Sequence, residues 1–175
     1  LRRRQRQMCI RDRDKITPIG PKARNLNKKF VFNEGEFNQL TYWMNRQIID
    51  DYPLELVSPV DWTDDSQNIN DRVRSYLDVN CGHCHSPTGN ANSTGLYLHL
   101  DETRDIHLGL YKKPVATGRG SGGLKYSIVP GKPDESILLH RMISLDPGVM
   151  MPESGRALSH TEAVDMVREL SLIHI

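Results

Sequence analysis

The chain has 175 residues, 37% hydrophobic and 26% charged, with a formal net charge of +1 at pH 7; that is room for one domain with a modest core and some excess. It holds no run of about 18 apolar residues, which excludes a membrane-spanning helix. Its three cysteines are an odd count, which argues against a disulfide framework.

Residues 1–13 read LRRRQRQMCIRDR and the chain closes on SLIHI. Both strings resemble translated sequencing-adapter remnants, so 1–13 is expected to be a non-native arm and 171–175 a non-native tail. The competing reading is an Arg-rich arm for nucleic acid or anionic lipid. Residues 1–13 hold six Arg and one Asp; without them 17 basic residues face 21 acidic ones, a balance near −4. That balance gives no argument for a nucleic-acid partner.

Residues 14–35 are rich in Pro, Gly, Asn and Lys, and Phe30, Val31 and Phe32 form a short apolar patch suited to packing on a neighbouring domain. From Glu36 to Asp51, Phe37, Leu40, Trp43, Met44 and Ile48 recur at helical spacing, which predicts an amphipathic helix. Pro53 and Pro59, followed by Asp61, Asp64, Asp65, Ser66 and Asn68, predict a linker with a domain boundary near 53–68.

A second helix is predicted to start near Asn70 or Asp71. Val73, Tyr76, Leu77, Cys81 and Cys84 fall along one of its faces, so its C-terminal end carries Cys81-Gly82-His83-Cys84-His85 before Pro87 and Gly89 stop it. This C-x-x-C-H string is the arrangement that attaches a c-type haem. Two thiols at this spacing can each add to one porphyrin vinyl group, and His85 is then held beneath the iron as its fifth ligand.

Downstream, Leu96, Leu98 and Leu100 alternate with Tyr97 and His99, which predicts a short strand or extended segment. Gly118, Gly120, Gly122 and Gly123 predict a flexible loop. Pro133-Asp134-Glu135-Ser136 opens a helix that runs through Ile143 and breaks at Asp146-Pro147-Gly148. Ser159-His160-Thr161-Glu162 has the form of a capping box for a last helix.

A low-spin haem that transfers electrons needs a second axial ligand, and methionine is the soft choice. Met8 lies in the arm and Met44 before the boundary, while Met142 and Met166 sit on predicted helix faces that suit core packing. Met150 and Met151 remain, in a loop between helices. Met151 is favoured because Pro152 fixes the backbone beside it. Leu77, Ile128, Leu138, Met142 and Val164 are candidates for the apolar haem wall, and Arg156 for a contact to a haem propionate. His83, His99, His107, His140 and His160 suit surface or capping positions better than ligation.

Two rival readings of the motif exist. Cys-Gly-His-Cys is also the thiol–disulfide exchange string of disulfide isomerases, but there the first cysteine opens a helix that lowers its pKa. A zinc site would use Cys81, Cys84 and His85, yet no second ligand pair follows at the usual spacing.

The stretches PIGPKARNLN (18–27), NQL (38–40), YLDVNCGHCHSPTG (76–89), VPGKPDESILLHRM (129–142) and MMPESGR (150–156) resemble a family of bacterial di-haem c-type cytochromes, in its C-terminal class I-like cytochrome c domain. The resemblance implies a mainly α, cytochrome c-like helical domain around one covalently bound haem, with irregular loops and a short extended segment, preceded by a small helical segment. Residues 14–60 would then be a remnant of an upstream haem region plus a linker, and 61–170 the cytochrome c domain. It implies Cys81 and Cys84 as covalent anchors, His85 and Met151 as axial ligands, and a second haem in the intact parent. It further implies electron transfer with redox partner proteins or a fused dehydrogenase domain, in the periplasm or secreted. A di-haem peroxidase or another haem-dependent oxidoreductase is the enzymatic alternative.

Overall fold

A computed structural model describes residues 21–53, 55–153 and 156–173. The expected non-native arm with Met8 and Cys9, residues 18–20 of the PIGPKARNLN block, and His174 at the end of the expected tail lie outside the described residues. The described residues form two compact units, 21–60 and 61–173.

The first unit is built on a β-hairpin. After the single helical turn α1 (Ala23–Leu26), strand β1 (Lys29–Phe32) pairs antiparallel with β2 (Gly35–Asn38), in the register Lys29↔Asn38 to Phe32↔Gly35. Aromatic and β-branched residues in β1 suit a pleated surface, and Gly35 takes the φ of +129° that leaves the turn. Helix α2 (Gln39–Asn45) follows directly. Its cap is Asn38, whose side chain accepts from Leu40 N–H at 3.0 Å and Thr41 N–H at 3.1 Å. The predicted helix over 36–51 is therefore shortened at both ends. Phe37 pairs in the hairpin opposite Phe30, and Gln47 adopts a left-handed φ of 57° that ends the helical path. Phe32 stacks on Tyr42 with ring centroids 3.6 Å apart, and Leu40 is the buried anchor. Tyr52 and Leu56 return to the same unit: Thr41 Oγ1 and Tyr52 Oη lie 2.8 Å apart, and Asn27 donates to Leu56 O at 2.9 Å.

In the second unit, helix α3 (Ile69–Asn80) is capped by Asn68, two residues before the predicted start. It packs on the last helix, α6 (Thr161–Ile173). Between them in sequence come the one-turn helix α4 (Asp105–Leu108) and helix α5 (Ile137–Ile143), which also packs on α6. Short 3-10 turns occupy Asn92–Thr94, Gly118–Ser121 and Pro133–Glu135. The core joins Val73, Tyr76 and Leu77 of α3 to Leu98, Leu139, Met142, Val164 and Val167. Met142 and Met166 are both buried within it. Helix α6 continues through Ser171, whose carbonyl accepts from Gly131 N–H at 2.9 Å.

Residues 96–98, expected as a short strand or extended segment, belong to no strand. They are followed by a turn that α3 holds with side chains. Asp78, fully buried, accepts from Leu100 N–H at 3.0 Å. Arg74 donates to the carbonyls of His99, Leu100 and Glu102 at 2.9, 2.7 and 2.6 Å. Burying Asp78 and one terminal nitrogen of Arg74 is tolerated because these atoms find partners, although Arg74 Nη1 is buried without one.

The mainly α, cytochrome c-like fold expected from the sequence does not hold. Only 38% of the described residues are helical, and the upstream unit is organised by a two-stranded antiparallel sheet in place of a small helical segment. The reason is local. Helices α1, α2, α4 and α5 run for only four to seven residues, and between them lie glycine-rich turns, among them Gly95, Gly109, Gly118, Gly122, Gly123 and Gly131 at positive φ. Among the described residues no helix is long and apolar enough to cross a membrane.

Candidate functional site

The C-x-x-C-H string is the C-terminal continuation of α3. Cys81 is the helix C-cap, and its N–H donates to Leu77 O at 2.8 Å. Cys84 N–H and His85 N–H both turn back to Cys81 O, at 3.1 and 2.9 Å. The motif is thus one tight turn hung on a packed helix. Two glycines permit it. A Cβ on Gly82 would lie 2.8 Å from Asp78 O, and one on Gly89 would lie 2.2 Å from Cys84 O, both backbone atoms. Leu98 N–H donates to His85 O at 2.8 Å, which fastens the extended segment to the motif.

Both thiols are free and half-buried. The Cys81 side chain packs against the core. Its burial, and next the neighbouring Cys84, push its thiol up to about 12 despite the opposing charge of Arg156. Burial and the Glu153 carboxylate also raise Cys84. A position at a helix C-terminus works in the same direction, since the helix dipole disfavours a thiolate there.

Burial lowers the pKa of His85; the Leu96 backbone opposes this, and the charges of Arg141 and His83 add to it. The ring is therefore neutral at pH 7, the form a metal ligand must take. Its Nδ1 is buried with no hydrogen-bond partner among the described residues.

The loop after α5 carries Met150 and Met151, both half-buried. Val149 and Met150 close a turn on Asp146 O, each N–H at 2.8 Å, while Met151 N–H reaches back to Arg141 O at 2.9 Å. The Met151–Pro152 peptide is cis. Charges on either side of this loop act on the motif: Arg141 on His85, Glu153 on Cys84 and Arg156 on Cys81.

Arg156 has a further part that its sequence did not suggest. Its guanidinium donates to Met142 O at 2.5 Å, to Arg141 O at 3.1 Å and to Ser144 O. It satisfies the carbonyls that the end of α5 leaves open. Only Nε is without a partner, and it is buried, so a haem propionate would have to compete with backbone carbonyls for this side chain.

The proposed haem wall is divided. Met142 and Val164 belong to the main core. Leu77, Ile128 and Leu138 line a cavity of about 180 Å³ together with Arg74, Leu98 and Leu170. That volume is below the roughly 300–1,000 Å³ of pockets that take drug-sized ligands, and Cys81, Cys84, His85 and Met151 do not line it. Two of the remaining histidines are engaged elsewhere: His107 with Gly95 O at 2.9 Å, and His160 with Tyr76 Oη at 3.1 Å. His160 also meets Trp62 edge to face.

The donor set nonetheless suits a covalently attached haem: two free thiols at the required spacing, a neutral imidazole next to the second, and a thioether in the loop after α5. Among the described residues no group of three or more His, Cys, Asp or Glu side chains could hold a bare metal ion. Zinc would need such a group, because it takes three or four protein ligands. Haem iron does not, since the porphyrin supplies four of the ligands. Compared with known proteins, the chain matches no family model, no curated sequence and no solved structure.

Proposed function

We propose that the chain is an electron-transfer protein carrying one haem c, bonded through thioethers to Cys81 and Cys84, with His85 and Met151 as axial ligands. The observation that carries this reading is the C-x-x-C-H string itself, folded as one tight turn at the end of α3 with two free thiols and a buried imidazole beside the second. When bound, the haem supplies a one-electron couple. The chain's own residues hold it by two side chains, keep His85 neutral through burial, and exclude water with the α3–α6 core. With His85 and Met151 both ligating, no position is left open for a substrate, which favours a carrier over a peroxidase.

The thiol chemistry weighs against dithiol exchange. An attacking thiolate needs a lowered pKa, whereas Cys81 is held at about 12. By the family resemblance, the intact parent would carry a second haem upstream and work in the periplasm or as a secreted protein. A redox partner protein or a fused dehydrogenase domain would exchange its electrons.

Met151→Ala tests the ligation. The expected variant keeps covalent haem, binds added imidazole at the ferric iron, and has a lower reduction potential, because loss of the methionine sulfur removes the ligand that raises it. An unchanged potential with no imidazole binding would sink the assignment.

A further inference from the structure

The Met151 loop is held by one side chain more than any other, and that residue is not among the motif residues. Arg141 sits in α5 with its side chain only 14% exposed. Its Nε donates to Val149 O at 2.8 Å. Its own carbonyl accepts from Met151 N–H at 2.9 Å and from the Arg156 guanidinium at 3.1 Å. Its terminal nitrogen faces Glu153 at 4.0 Å. On the other side the guanidinium lies flat against Gly120, where an added Cβ would come within 3.3 Å of it. The guanidinium thus bonds Val149 O and faces the Glu153 carboxylate, while the main chain of the same residue bonds Met151.

We propose that Arg141 is the positioning residue of Met151: by fastening residues 149, 151 and 153 to α5, it presents the thioether to the iron and keeps the sixth site closed. The inference rests on the haem reading above. Three features of the geometry support it. A guanidinium has a rigid fork that fixes the carbonyl and carboxylate it faces, which a lysine does not. A buried cation with so few contacts to solvent is stabilised only by the groups it holds, so releasing the loop would leave it unpaired. Finally, the Met151 N–H is bonded to the carbonyl of residue 141 itself, whereas the Met150 N–H closes the turn on Asp146 O.

The test uses the haem-loaded chain with Arg141→Gln, Arg141→Lys and Met151→Ala. Imidazole binding to the ferric protein and amide hydrogen exchange at Met151 are measured alongside covalent haem content. The expected Arg141→Gln protein keeps its haem, binds imidazole about tenfold more tightly and exchanges the Met151 amide faster by a similar factor, the effect of losing one charge-assisted hydrogen bond. Arg141→Lys, which keeps the charge but not the fork, should fall between it and wild type. If Arg141→Gln yields no folded protein, Arg141→Lys carries the same comparison. Should the Arg141 variants exclude imidazole as wild type does, while Met151→Ala admits it, Arg141 does not position the ligand and the haem reading stands. Should Met151→Ala also exclude imidazole, the distal assignment itself fails and the proposal with it.

Discussion

Replacing Gly89 with alanine strikes the turn on which the C-x-x-C-H motif depends. An added Cβ would lie 2.2 Å from Cys84 O, 2.7 Å from Cys84 C and 2.9 Å from His83 O. All three are backbone atoms, so no rotamer change relieves the overlap, and the carbonyl has to retreat by about 1 Å to reach ordinary contact. That movement strains the 3.0 Å bond from Ala91 N–H to Cys84 O. Overpacking of this kind costs about 1–3 kcal/mol, and a lost backbone hydrogen bond adds about 0.5–1.5 kcal/mol. The sum is about 1.5–4.5 kcal/mol, or a fall in Tm of roughly 6–18 °C for a unit of this size. Thermal unfolding followed by far-ultraviolet circular dichroism measures it. A Gly89→Ala protein melting within about 2 °C of wild type would refute the close approach of residue 89 to the motif.

Two further perturbations probe the scaffold. Glu102 is buried, and the guanidinium and N–H of Arg104 with the N–H of Thr103 hold its carboxyl at about 2. A depressed pKa gives stability that is present above the ordinary carboxylate range near 4.3 and is lost as pH falls through it toward 2. Glu102→Gln should therefore be less stable than wild type at pH 7, with the gap closing between about pH 4 and 2 in urea titrations; a gap independent of pH would contradict this. Leu98 is 2% exposed and packs in the core beside α3. Leu98→Ala should cost about 2–5 kcal/mol by urea unfolding, whereas Leu158→Ala, at a site 77% exposed, should stay within about 0.5 kcal/mol. Equal effects at the two sites would show the core to be misassigned.

Particular residues explain what the sequence made legible. Val73, Tyr76 and Leu77 at helical spacing announced α3, and all three are buried; the helix begins slightly early because Asn68 is an equally good cap. The hairpin was hidden because Phe37 satisfies two periods at once, that of a helix with Leu40 and Trp43 and that of a strand opposite Phe30. A four-residue strand is too short for alternation to declare itself. The motif residues could be read from their spacing alone. The roles of Arg141 and Arg156 could not, since both consist of hydrogen bonds to backbone carbonyls that a turn of the chain creates. Residue type signals such bonds only weakly. The alternation at Leu96, Leu98 and Leu100 pointed to an extended segment, and what fastens its end is not a neighbouring strand but Asp78 and Arg74 of α3.

The proposed attachment of haem through Cys81 and Cys84 is directly open to measurement. The chain is expressed in bacteria together with a haem-attachment system, denatured, separated on a gel stained for haem, and weighed intact by mass spectrometry. The expected result is haem that survives denaturation and a mass increased by one haem, both lost when Cys81 and Cys84 are replaced by alanine. A wild-type chain that emerges without covalent haem, or a double variant that retains it, would contradict the assignment.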